Sequence, residues 1–424
     1  MAGGSGAGRS GGRRWRRVLT DVRPLRASAP YRRLLLGNTV GQLGQQMTVV
    51  TVAVQVYALT ESSFAVGLIG IVGLVPLIGF GLYAGAIADA MDRRRLALIA
   101  STGSWLVSLV LAAQAFAGNT EVWVIYVCIG VQSACFAATS SARNAMIARL
   151  LPIDLLPAAS ALNAASFNLG FTVGPLVGAL LISAGGFELA YSVDAITFTA
   201  TLYALFRLPA MPPTEGSPRA GLRSVLDGLA FLRRSPNLRM TFVLDLCAMV
   251  FAHPRAVFPA LAYKVFGGGA ATVGILQAAP AVGALAAFVV SGWISRVRLH
   301  GVAIVVSILL YGAAIGAVGL AGALWVAVLF LAVAGAADSV SSAFRNTVLQ
   351  VAAPDELRGR LQGVFIVVVA GGPRAGDFLV GSVGEATAER LALVLGGLAC
   401  IVGVLVAVLL QRSFLRYDAR HPTP

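Results

Sequence analysis

The apolar positions of this chain fall in long blocks separated by short polar gaps. A helix rising about 1.5 Å per residue needs about 20 apolar residues to cross a hydrocarbon layer about 30 Å thick. The blocks predict twelve such helices: Leu34–Leu59, Phe64–Ala88, Leu96–Ala117, Val122–Ile147, Ala158–Ala184, Leu189–Leu208, then Met240–Val265, Ala271–Ser295, Val302–Leu320, Ala323–Leu349, Leu361–Gly384 and Leu391–Leu410. The expected fold is an all-α membrane protein of two pseudo-symmetric six-helix bundles, 34–208 and 240–411. A linker at 209–239 joins them, and tails at 1–33 and 412–424 flank them.

The gaps refine this division. Pro209, Pro212 and Pro213 open the central gap as a linker. Leu222, Val225, Leu226, Leu229 and Leu232 follow at helical spacing beside Arg223, Arg233 and Arg234, predicting a short amphipathic helix on the membrane surface. The Gly-, Ser- and Arg-rich start predicts a disordered tail drawn to the membrane, and the apolar run after Arg33 is too long for a signal-peptide core. The halves also repeat. Asn144 and Asn346, Pro152 and Pro354, Gly170 and Gly372, and Gly174 and Gly376 share one sequence offset.

Composition moves the chain out of the globular class: 58% of its 424 residues are hydrophobic and 12% charged, against about 25% charged in a soluble domain. A net charge of +14 raises nucleic acid as a partner. The basic residues are scattered through short gaps, however, with no aromatic-interleaved basic domain, so the lipid bilayer is the expected partner instead. Arginines crowd the N-terminal tail, the loop at Arg93–Arg95, the linker and the C-terminal tail, while Glu61, Glu121, Glu188, Glu385 and Glu389 occupy the opposite gaps. The asymmetry predicts a multi-pass inner or plasma membrane protein with both termini cytoplasmic. Cys128, Cys135, Cys247 and Cys400 lie in apolar segments without metal-ligand spacing, and His253, His300 and His421 form no cluster. No metal and no cofactor are expected.

Four groups of residues carry candidate chemistry. Gly85, Asp89, Asp92, Arg93 and Arg94 sit where one uncharged block ends in an acid, turns and restarts behind arginines. Gly170, Gly174 and Gly178, with Pro175, make a smooth stripe on which another helix can pack and bend; packing alone would also explain it. Asn38, Gln42 and Gln45 form one polar face on the first span, facing either a cavity or a neighbouring helix. Charges inside spans are costly and therefore candidates. Asp338, Asp377 and Asp245 are proton-coupling candidates and Arg255 a substrate-cavity candidate. Arg374 and Asp377, three residues apart, can neutralise each other, Arg143 and Arg345 can snorkel to the nearer membrane face, and Asp194 is expected to be structural.

Together these residues resemble the major facilitator superfamily from about Tyr31 to Arg412. The stretch from Gly85 to Arg95 looks like its loop motif after the second span, departing at Ala90 and Asp92. That from Gly170 to Gly178 looks like the antiporter motif of drug exporters, departing at Ala179. The wording at Ala88–Arg94, Pro254–Leu261 and Pro354–Arg360 is closest to the enterobactin-exporter-like and macrolide-efflux-like group. The resemblance implies alternating access of two bundles around a midplane cavity. Asp89 would clamp one side against the N-terminus of the eleventh span near Leu361, with Asp92 as a second acidic partner. The expected function is proton-coupled export of small amphipathic organic molecules, a drug or siderophore, by a monomer. Import by the same fold is the alternative. A membrane-embedded transferase is disfavoured because no DDxxD motif, paired histidines or nucleophile elbow is present.

Overall fold

The computed structural model describes residues 21–212, 230–352 and 355–418, with backbone alone at 82–90, 144–145, 295 and 355–367. The apolar blocks form helices α1 (Ala29–Thr60), α2 (Ser63–Ala90), α3 (Arg93–Phe116) and α4 (Val122–Leu150). A single helical run, Leu156–Phe206, holds the next two, α5 (156–184) and α6 (187–206), divided at Gly185–Gly186. Gly186 takes φ 73°, ψ −169°, a conformation open to glycine and closed to other L residues, so this hairpin needs no loop. The second half comprises α7 (Pro236–Phe251), α8 (Gly269–Val289), α9 (His300–Leu320), α10 (Leu324–Ala352), α11 (Asp355–Ala386) and α12 (Glu389–Leu410). Among the described residues nine segments are long and apolar enough to cross a membrane, the one holding α5 and α6 being counted once. No strand occurs among them; one isolated bridge joins Leu299 to Asp418.

Four expectations require correction. The first tail does not run to residue 33: a turn at Arg23–Ala27 precedes α1, which starts at Ala29 because Ser28 caps it, its hydroxyl accepting from the Tyr31 amide at 3.2 Å. The seventh span is not one helix. It breaks after Phe251 into a 3₁₀ turn at Arg255–Val257 and a π turn at Leu261–Val265. Pro254 and Pro259 each remove an amide donor, and the chain resumes a helical turn at Phe258–Ala260 with Phe258 itself in the helical region. The eighth span stops at Val289, and Ser291–Arg296 forms a 3₁₀ turn. Finally, residues 412–418 are not a free tail: Phe414 is wholly buried, and the His300 amide donates to the Tyr417 carbonyl at 3.1 Å. The linker's amphipathic helix lies mostly outside the described residues, which resume with helix at 230–234.

Helices α1–α6 and α7–α12 make two bundles. Each is threaded by small residues that let backbones approach. Gly170, Gly174 and Gly178 of α5 lie against Gln42, Gln46 and Met47 of α1, and Gly372 and Gly376 of α11 lie against Met249 and His253 of α7. The repeated glycines thus do the same packing job in both halves. In the first bundle, amides replace apolar packing at one level: Gln55 and Gln114 exchange hydrogen bonds at 3.1 and 3.2 Å, and the Tyr191 hydroxyl donates to Gln55 Oε1 at 2.7 Å. Every polar group there is paired within protein, as a lipid-facing environment requires.

Among the described residues the bundles are not joined evenly along their length. At the end bearing Glu61, Glu385 and Glu389 their cores fuse: Val50, Val54 and Ala179 of the first half pack into the second half's apolar cluster, while Ala256 and Ala260 of the second pack into the first's. At the arginine-bearing end the two buried clusters, one around Leu34, Leu96 and Met146 and one around Tyr31, Leu151 and Leu155, draw on first-half residues alone.

Candidate transport pathway

The closure at the glutamate-bearing end is built from backbone approach and a few polar ties. A Cβ on Gly67 would stand 2.6 Å from the Asp377 carbonyl oxygen, and Gly70 abuts the Arg374 backbone, so α2 and α11 touch through glycine. On the other flank Gly274 of α8 abuts Ala179 and the Pro175 carbonyl of α5. The Phe64 amide donates to Glu385 Oε2 and the Ser63 hydroxyl to Glu389 Oε1, both at 3.4 Å. Glu389 also holds Lys264 at 3.0 Å, whose ammonium lies over the Tyr57 ring at 5.8 Å, and Tyr57 stacks on Tyr263. Two of the five glutamates that signal orientation in the sequence, Glu385 and Glu389, are therefore part of a clasp between the bundles. Sequence reasoning missed this, because nothing in the chain ties Lys264 or Ser63 to Glu389.

Just inside this clasp lies the break in α7. His253 is buried, its Nε2 3.8 Å from Asp377 Oδ1, too far for a hydrogen bond, and neither ring nitrogen finds a partner. Arg255 reaches across to the first bundle and sits over the Phe171 ring at 5.6 Å. Arg374 donates to the Ala370 carbonyl at 3.4 Å and lies beside Ser133 and Gly73. The expected mutual neutralisation of Arg374 and Asp377 is not made as a direct contact among the described residues. Their i, i+3 spacing points both toward the bundle interface, and Asp377 faces His253.

A second charged group is deeper in the second bundle. Asp245 of α7 and Asp338 of α10 share one guanidinium, that of Arg345: Asp245 Oδ1 contacts Nη1 directly, and Asp338 Oδ1 lies 3.4 Å from Nη2. Arg345 and Asp245 are buried, whereas the Asp338 side chain is 40% exposed. Arg345 therefore does not snorkel. It is held by an acid two helical turns earlier on its own helix and by another on α7. Two carboxylates on one cation leave a net charge of −1, and Asp338 is the more exposed of the two acids.

In the first bundle, Asn38, Gln42 and Gln45 line a cleft of about 50 Å³ between α1, α3, α4 and α6. Arg143 lines it too, with Gln132 and Ser104 among the polar residues around it. The amide face of α1 therefore faces a cavity. Sequence reasoning read Arg143 only as a snorkelling residue, although Gln132, Thr139 and Arg143 fall at i, i+7 and i+11 on one face of α4. Asp194 is wholly buried behind α1 and α3, accepting from the Ser108 hydroxyl at 2.6 Å.

At the arginine-bearing end, Asp92 caps α3, accepting from the Arg95 amide at 3.0 Å, and accepts from the Met211 amide at 2.7 Å. Arg94 donates to the carbonyls of Leu205 and Phe206 and lies over the Phe206 ring. Arg93 is buried, and its amide donates to the Met211 carbonyl at 3.1 Å. Asp92 and Arg94 thus tie the α2–α3 turn to the end of α6 within one bundle, and the carboxylate of Asp92 is committed there rather than offered as a second latch. The side chains of Gly85, Asp89 and Leu361 lie outside the described residues.

A family profile described as transmembrane secretion effector matches residues 19–420. The enterobactin exporter EntS of Citrobacter koseri is 26% identical over 408 residues, covering 96% of this chain and 97% of that one. The enterobactin exporter EntS of Shigella boydii serotype 18 is 28% identical, covering 92% and 94%. A crystal structure of a POT family transporter in complex with 5-aminolevulinic acid superposes with a TM-score of 0.75 at 13% identity, covering 91% of this chain and 97% of that one. With twelve helices in two bundles and the family match running nearly end to end, the chain is a multi-pass membrane transporter that belongs to the transmembrane secretion effector family of the major facilitator superfamily.

Proposed function

We propose that this chain exports small amphipathic organic molecules of the siderophore or drug type from the cytoplasm, driven by protons, through alternating access. The termini and the arginine-bearing end face the cytoplasm of the inner or plasma membrane, and the glutamate clasp faces outward. The observation that carries the reading is the asymmetry of closure: the bundles fuse around Gly67, Gly70 and Gly274 at the outer end, while the described buried clusters at the inner end each belong to one bundle. That is the geometry of a state that loads from the cytoplasm. The names of the relatives supply the cargo class.

Protons couple through Asp338. One proton removes the net charge of the Asp245–Arg345–Asp338 group, and Asp338 is its more exposed acid. Neutralising a carboxylate that faces the cavity changes the relative free energy of two bundle arrangements only if it is solvated differently in each, which is what a site between rocking bundles provides. Asp377, behind the outer clasp, is the second candidate. Asp89 forms the inner latch when the cytoplasmic side closes, against the N-terminus of α11. The experiment is uptake into inverted vesicles carrying the protein. Labelled siderophore should accumulate while a proton gradient is held, and an uncoupler should return it to the empty-vesicle level. Accumulation that survives the uncoupler removes the proton, and accumulation only in right-side-out vesicles reverses the direction to import.

A further inference from the structure

The cleft in the first bundle is lined by amides, hydroxyls, two phenyl rings and one formal charge, Arg143, with no carboxylate among its lining residues. Arg143 is half-buried and makes no ion pair or hydrogen bond among the described residues. The contrast with the equivalent position in the other bundle is direct, since Arg345 there is held by two acids. A guanidinium withdrawn from water at membrane depth without an anion is costly, and the same cation with a charge-assisted partner is favourable. Two further polar atoms at the cleft also lack partners: Asn38 Nδ2, a donor, and Gln132 Oε1, an acceptor. Phe136 and Phe198 supply apolar walls.

Resting on the reading of the chain as an exporter of small organic molecules, we propose that this cleft is the subsite for an acidic aromatic head group of the cargo. An aryl carboxylate or phenolate oxygen sits between the Arg143 guanidinium and the Asn38 amide, and its ring lies at the open mouth of the cleft. The cleft itself takes only the anionic group, since its free space of about 50 Å³ is well below the ~150 Å³ that holds a benzene ring; the ring and the rest of the molecule occupy the space between the bundles. Selectivity follows from the sign of the charge. Acidic cargo is accepted, whereas an organic cation of the same shape meets Arg143 with no acid to balance it.

The test uses three probes of one shape, benzoate, benzamide and benzylammonium, with the purified full-length protein in nanodiscs and no ion gradient. Binding is read by equilibrium dialysis and by the emission of Trp105, whose indole donates to Thr199 at 3.0 Å beside the cleft. Benzoate should bind about tenfold or more tighter than benzamide, the gain of one charge-assisted hydrogen bond, and benzylammonium should bind weakest. Arg143→Gln should erase the preference, and Arg143→Lys should keep part of it, showing that the fold survives loss of the guanidinium. Equal binding of benzoate and benzamide overturns the assignment. So does a preference that persists in Arg143→Gln but disappears in Arg255→Gln, which would move the head group to the other bundle. Displacement of benzoate by chloride or sulfate at concentrations where benzamide still binds would make the cleft a bare anion site, and also overturns it. Because no gradient is used, failure here leaves the vesicle experiment untouched, and failure of export leaves this binding result standing.

Discussion

At the scale of single residues, the chain separates charges that do structural work from a charge left to respond. Asp92 has both carboxylate oxygens spent on amide donors, and Asp194, wholly buried, accepts from the Ser108 hydroxyl through Oδ2. Asp245 is buried against Arg345, and removing Arg345 would strand it at a cost of about 3–5 kcal/mol. Asp338 differs because its carboxylate lies 3.4 Å from the guanidinium while its side chain stays 40% exposed. Replacing it with Asn removes the titrating group and leaves the Asp245–Arg345 pair intact. Asp338→Asn should therefore abolish gradient-driven accumulation in inverted vesicles, yet exchange of labelled for unlabelled cargo without a gradient should continue at a rate within about threefold of the unmodified protein, since the cargo contacts are unchanged. Asp377→Asn should leave accumulation present, because that carboxylate is sealed behind the clasp in the loading state. If Asp377→Asn loses accumulation and Asp338→Asn keeps it, the coupling group is at the α7 break instead.

At the scale of elements, closure at the outer end depends on glycine where helices from different bundles cross. Gly274 of α8 sits against the Ala179 methyl and the Pro175 carbonyl of α5, which leaves no space for a side chain. Gly274→Val should wedge the two helices apart and shift the protein toward the state open at the outer end. In a background with Cys128, Cys135, Cys247 and Cys400 replaced, a cysteine at Ala278 should then react with an outside thiol reagent about tenfold faster, the rate expected if the accessible population rises by one order. Unchanged labelling would mean that the α5–α8 contact is not part of the gate. The spans themselves were legible because bilayer thickness sets helix length. The glycine stripe was legible because small residues at i, i+4 and i+8 have few other uses in lipid. The break in α7 was marked by Pro254 and Pro259, but an apolar run through both reads as one span when only length and hydropathy are counted. Which partner a buried charge takes was not legible at all. The pairing of Arg345 with Asp245 is made between α7 and α10, and a residue offset carries no information about which faces of two separate helices will meet.

At the scale of the whole molecule, two bundles with the same internal packing are joined by dissimilar means at their two ends. The glutamate-bearing end is held by glycine contacts, Tyr57 on Tyr263, and the ties of Ser63, Phe64 and Lys264 to Glu385 and Glu389. The ties of Phe64 and Lys264 are exposed and worth about 0–1 kcal/mol each, and that of the buried Ser63 is long at 3.4 Å, so the proposed cycle can break them without a large barrier. Such a clasp should be a place where a covalent bond stops the machine without unfolding it. Ser63 and Glu389 side-chain oxygens are 3.4 Å apart across the bundles. With the native cysteines removed, a pair introduced by Ser63→Cys and Glu389→Cys should be bridged by a short bis-methanethiosulfonate reagent, and vesicle accumulation should fall to background. Reduction should restore it. Binding of benzoate at the Arg143 cleft should survive the cross-link, because loading from the inner side requires the outer end only to stay shut. If the cross-linked protein transports at the rate of the reduced one, the two bundles do not separate at this end, and alternating access about this clasp is wrong.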